Sequence, residues 1–155
     1  MVSLVALVVL AGGCGGGSSA SGGQKVHFAK TKFALHAGLA FGAFHRYIYK
    51  PYKAGGFSPP SRHKAALVKA GLAAAFAYHE TRLALNDARS SRLLSAVLGP
   101  VLALQDRLRL MSSRLKGGTL DSGDIQAANG QVNAIQADRS RAGQPIKDLP
   151  TPALH

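Results

Sequence analysis

The sequence predicts an all-α fold: a small antiparallel four-helix, bundle-like domain carried behind a signal peptide and a flexible tether. Three observations predict it. Apolar residues recur at spacings of three and four through most of the chain, and no stretch alternates polar and apolar residues as a half-buried strand does. Breaks rich in Gly and Pro divide everything after residue 24 into four such segments. The chain of 155 residues is of single-domain length, and its one cysteine leaves no internal disulfide, so packing has to stabilise the domain.

The first segment, about Val26 to Tyr49, carries two usable faces at about 100° per residue. Phe33, Ala37, Ala40, Phe44 and Ile48 form an aromatic face, and Ala34, Gly38 and Gly42 form a small-residue face that admits a close helix neighbour. Only 13 residues separate Lys32 from Arg46, too few to cross a membrane, so the segment reads as a central helix buried on two sides. The break "KPYKAGGFSPP" (Lys50 to Pro60) follows it.

The second segment, about Pro60 to Arg89, runs through the alanine-rich "AGLAAAFAY". Val68, Leu72, Ala75, His79 and Leu83 share one stripe on it, and the small residues favour close helix contact. The third, about Ser91 to Lys116, is the clearest. Leu94, Val97, Val101, Leu104, Leu108, Met111 and Leu115 stand at alternating spacings of three and four, a packing seam along one side of a helix. Pro100 lies off that seam and removes one backbone bond, which predicts a kink or split near Gly99.

The fourth segment, about Asp121 to Arg141, carries a narrow stripe of Ile125, Ala128, Val132 and Ile135 on a Gln- and Asn-rich helix. Asp121 and Asp124 suit its start, where carboxylates complement the helix dipole. From Gly143 the tail "GQPIKDLPTPALH" contains three prolines and is expected to be extended or disordered. The resulting division is a signal peptide over 1–13, a modified cysteine and tether over 14–24, a helical domain over 25–142 and a tail over 143–155.

Charge is distributed unevenly. The chain holds 19 Lys and Arg against 7 Asp and Glu, a formal net charge of +12. Nine of the basic residues (Lys25, Lys30, Lys32, Arg46, Lys50, Lys53, Arg62, Lys64 and Lys69) precede the first acid, Glu80, and Tyr47, Tyr49 and Tyr52 lie among them. Such a block attracts polyanions.

The N-terminal stretch indicates which polyanion is within reach. Val2 to Leu10 is an apolar run of nine residues interrupted only by Ser3, followed by Ala11, Gly12, Gly13 and Cys14. That is a signal-peptide length, well short of the roughly 20 residues of a spanning helix. The segment resembles the lipobox of bacterial lipoproteins. The resemblance implies cleavage before Cys14, a diacylglyceryl group on its thiol and acyl chains that hold the mature protein on the membrane, where two chains give durable attachment. The following "GGGSSASGG" has the composition of a flexible tether. The expected location is therefore the cell membrane, lipid-anchored on its extracytoplasmic side. Anionic lipid or an anionic wall polymer is the expected partner of the basic block, and no nucleic acid is expected there.

Catalytic motifs are missing from the sequence. It has no Gly-x-Ser-x-Gly, no P-loop, no dinucleotide fingerprint, no His-Glu-x-x-His and no Cys-x-x-Cys, so no enzymatic activity and no cofactor are expected. His27, His36 and His45 are nine residues apart, which sets successive members on opposite sides of a helix. One grouping survives. In an antiparallel hairpin turning near Phe57, His36 faces the neighbourhood of His79 and Glu80. That cluster is either a hydrogen-bonded core group that fixes helix register or a metal or ligand site. The sequence therefore reads as a non-enzymatic envelope binding module with a basic face. A helical metal or ligand carrier using His36, His79 and Glu80 is the alternative.

Overall fold

The structure, a computed structural model, describes residues 20–153, with side chains described from Lys25 onward. The segment read as a signal peptide, Cys14 and most of the tether lie outside the described residues. Four long helices pack against one another, and no strand occurs among the described residues. These are α1 (Ala20–Phe44), α3 (Lys64–Arg89), α4 (Leu98–Lys116) and α5 (Ser122–Arg141), with a one-turn α2 (Lys50–Lys53) between the first two. The all-α, bundle-like architecture is thus as the periodicity requires. None of the described helices is long and apolar enough to cross a membrane.

Helix α1 is already formed at Ala20, the first described residue, so it reaches into the stretch read as tether; adding a turn to a packed helix needs no new nucleus. Its C-terminal end widens into a π-turn at His45–Tyr49 before α2. Pro51 accounts for this. A proline cannot donate to the carbonyl four residues back and its ring crowds that carbonyl, whereas i to i+5 bonding, as from Lys50 N–H to His45 O, opens the turn around it. The aromatic face arrives in the core as read: Phe33, Ala37, Ala40, Phe44 and Ile48 are all buried.

The small-residue face meets a different neighbour from the helix expected there. The tail lies on it. Leu149 N–H donates to Gly38 O at 2.9 Å, and a Cβ at Gly38 or Gly42 would overlap the carbonyl oxygens of Lys147 and Leu149. The glycines are needed because backbone rests directly on backbone. The tail is extended and ordered against the bundle, with Ile146 and Thr151 buried.

The central position belongs to α3, which packs most heavily on both α4 and α1. Its inward face is mostly small: Ala70, Gly71, Ala73, Ala74, Ala77, Thr81, Ala84 and Ala88 are buried, with Leu67, Glu80 and Leu85 as the large exceptions. At Gly71 a Cβ would stand 2.9 Å from Lys116 N, and Ser112 Oγ donates to Gly71 O at 3.0 Å, so the α3 and α4 backbones run close together. Large side chains on α1 and α4 fill the volume that this alanine face leaves. The stripe read on this helix is turned outward instead. Val68 is 43% and Leu72 41% exposed, His79 lies at the surface, and Ala75 and Leu83 are half-buried.

The seam read on the third segment is buried along its whole length, from Leu94 and Val97 ahead of α4 to Leu115 near its end. Pro100 stands in the first turn of α4, where no helical N–H bond is lost, and Arg92–Val97 forms a separate 3₁₀ turn ahead of it. The segment is split, as the proline requires. Asp121 caps α5 by accepting from Asp124 N–H at 3.1 Å, and Ile125, Ala128, Val132 and Ile135 are buried. Gly143, at a φ of 70°, ends α5 and turns the tail back toward α1.

Candidate functional site

The nine N-terminal basic residues follow the exposed sides of α1, α2 and α3 and the link between them. Lys30 is half-buried and the other eight are exposed. Among the described residues, no side-chain nitrogen of these nine comes within 4.0 Å of a carboxylate. Most of the acids are engaged elsewhere. Asp124 pairs with Arg107 at 3.0 Å and with Arg114, Asp121 also meets Arg114, and Asp148 meets His45. The positive field of the N-terminal half is therefore left uncancelled at close range.

Two features give that field a surface character. The Tyr47 ring has the Arg46 guanidinium 5.3 Å and the Lys69 ammonium 5.7 Å from its centroid, so α3 contributes to the same patch as the π-turn. On the outer side of α1, Lys25 and Lys32 alternate with Phe28, 63% exposed, and Leu35, 46% exposed. Lys32 Nζ stands 4.5 Å above the Phe28 ring. Tyr52 joins this patch to α5 by accepting from Gln126 Nε2 at 3.0 Å, and Tyr49 stacks on Phe44.

The His36 grouping forms only in part. His36 Nδ1–H donates to Glu80 Oε2 at 2.7 Å, so the antiparallel register inferred from the turn near Phe57 holds. His79 is not part of it, because one residue along α3 turns the side chain about 100° away, to solvent. Asp87, two turns along α3, stands there instead, with Oδ2 3.8 Å from His36 Nε2. Burial raises the Asp87 carboxyl above its ordinary value of 3.8, and the neighbouring charges of His36 and Lys32 lower it against that trend. Among the described residues, no group of three or more His, Cys, Asp and Glu side chains is arranged to hold a metal ion.

A second histidine centre escaped the spacing argument. His45, in the π-turn, donates from Nδ1 to Asp148 Oδ2 at 2.5 Å and has Nε2 3.2 Å from the Asn129 side-chain oxygen. Gln136 Nε2 donates to Asp148 Oδ1 at 3.0 Å and to Ile146 O at 3.2 Å. These bonds join the π-turn, α5 and the tail, His45 and Asp148 being 103 residues apart, and local spacing carries no signal of them. Arg139, buried on α5, was also missed, although a signal existed. It stands four residues after Ile135 and seven after Val132, on the continuation of the apolar stripe.

No family model matches the chain, no curated protein is significantly similar to it in sequence, and no solved structure is significantly similar to it in fold.

Proposed function

We propose that the protein is a lipid-anchored module of the bacterial envelope, held at the extracytoplasmic side of the membrane by acyl chains on Cys14. Its basic face engages anionic lipid without catalysis. What carries the reading is the set of nine basic residues free of carboxylate partners within 4.0 Å among the described residues. Each such residue near an anionic membrane contributes about 1 kcal/mol. Lipid is favoured over wall polymer by Phe28 and Leu35, which stand exposed among Lys25 and Lys32. Apolar side chains enter the acyl boundary but gain nothing on a hydrated polymer.

The test uses the full chain with Cys14→Ser, so that acyl chains do not mask the contribution of the protein surface. Sedimentation with anionic vesicles is expected at about 0.01 M salt and is expected to vanish near 1 M, as the screening length falls from about 30 to about 3 Å. Neutral vesicles are expected to stay free of protein. Equal binding to both, or retention by wall polymer alone, overturns the reading. Intact mass of the native protein from the membrane fraction tests the anchor separately, since loss of residues 1–13 and gain of acyl mass are both required.

A further inference from the structure

Between the early turns of α1 and the turn at Gly143 lies a cleft of about 450 Å³, a size typical of small-molecule sites. Its walls are mixed in a specific way. Phe33, Ala34 and Ile146 give it an apolar side, while Arg139, Lys30 and His27 bring basic groups to it. Arg139 is the unusual member. Its side chain is only 8% exposed, and its Nε is shut off from solvent with no hydrogen-bond acceptor among the described residues. The nearest carboxylate, Asp138 Oδ2, stands 3.7 Å away on a side chain 51% exposed, beyond hydrogen-bond distance.

A buried guanidinium N–H without an acceptor, as at Nε, destabilises a fold, and helix α5 has many exposed positions that would have carried a cation harmlessly. The tail could also have covered this spot with an apolar side chain, as it does at Ile146. A planar fork of N–H donors matches the oxygens of a carboxylate or phosphate, and a partly dehydrated setting strengthens that pairing. The cleft therefore has a cationic end, whose nearby carboxylate Asp138 is exposed and beyond hydrogen-bond distance, and an apolar wall that suits a hydrocarbon body.

We propose that this cleft binds an amphipathic organic anion, a carboxylate or phosphate head on a short apolar chain, with Arg139 pairing the head and Lys30 assisting. The cleft shares Lys30 with the basic set but is centred on Arg139, and its binding does not depend on a membrane surface. Calorimetric titration of the full-length Cys14→Ser chain with decanoate, decyl phosphate, decanol and inorganic phosphate tests the idea. At least one of the two anionic amphiphiles is expected to bind, and the head it carries identifies the natural class. Decanol and inorganic phosphate are expected to bind about tenfold more weakly or worse, having lost the charge-assisted bond or the apolar body.

Arg139→Met is expected to abolish anion binding while melting at or above the wild-type temperature, because it removes a buried N–H without an acceptor and a buried charge whose nearby carboxylate, Asp138, stands at the surface. Lys30→Gln, at a half-buried surface position, is expected to weaken binding several-fold without affecting folding, and serves if the Met variant fails to fold. Decanol binding as tightly as the anions, no binding of either anion, or unchanged binding in both variants overturns the proposal.

Discussion

Gly42 shows how one missing methyl group determines which segment covers a helix. The Leu149 carbonyl rests where a Cβ would stand, so Gly42→Ala forces the tail away from α1 or strains both. The expected cost is about 1–3 kcal/mol in denaturant unfolding, of the order of other overpacking changes. The Leu149 amide, bonded to Gly38 O, should lose its hydrogen-exchange protection at the same time. A stability loss with that amide still protected would place the strain elsewhere. Asp87 makes a residue-scale prediction of the opposite sign. Burial raises its carboxyl in the folded state, so the fold binds that proton more tightly than the unfolded chain does. Its contribution is therefore most favourable below about pH 3.8 and declines as pH rises through the raised value. Asp87→Asn should be more stable than wild type at neutral pH, with the difference closing under acid. Thermal melts across that range check it, and a difference independent of pH would contradict the assignment.

Among the elements, α3 and α4 differ in how openly the sequence displays their buried sides. In α4 every large seam residue (Val101, Leu104, Leu108, Met111, Leu115) is buried, so the apolar period marks the buried side, although Gln105 and Ser112 are buried beside it and Leu102 and Leu110 are exposed. In α3 hydropathy and burial run against each other. The buried side is alanine, chosen for close approach, and the larger apolar residues Val68 and Leu72 lie outside, so a reading by hydropathy picks the wrong stripe. The His36–Glu80 bond was legible because antiparallel pairing about a known turn fixes which residues meet. The His45–Asp148 bond was not, since nothing local tells where an extended proline-containing tail returns. The distinction between α3 and α4 is measurable. Leu108→Ala, in the seam and 1% exposed, should cost about 2–5 kcal/mol, whereas Leu72→Gln on the outer side of α3 should stay within about 0.5 kcal/mol. Denaturant midpoints of the two variants decide it, and comparable losses would mean that α3 is covered by something in solution.

At the scale of the whole molecule the question is whether a net charge of +12 acts as a bulk property or as a face. The N-terminal nine basic residues precede every acid, while the ten that follow share their half with all seven acids. Ion pairing sharpens this difference, since Arg107 and Arg114 are held by Asp121 and Asp124. Two variants of equal charge separate the possibilities. One replaces Arg46, Lys50 and Lys69 by Gln, around the Tyr47 patch. The other replaces Arg92, Arg109 and Arg141, which are equally exposed and lie in the C-terminal half. If the face does the binding, the first variant should lose about 3 kcal/mol of affinity for anionic vesicles, roughly 150-fold at low salt, and the second should change little. Both should fold as wild type, because none of the six side chains is buried. Equal losses in the two variants would reduce the attraction to net charge alone. The particular arrangement of α1, the π-turn and α3 would then have no part in holding the membrane.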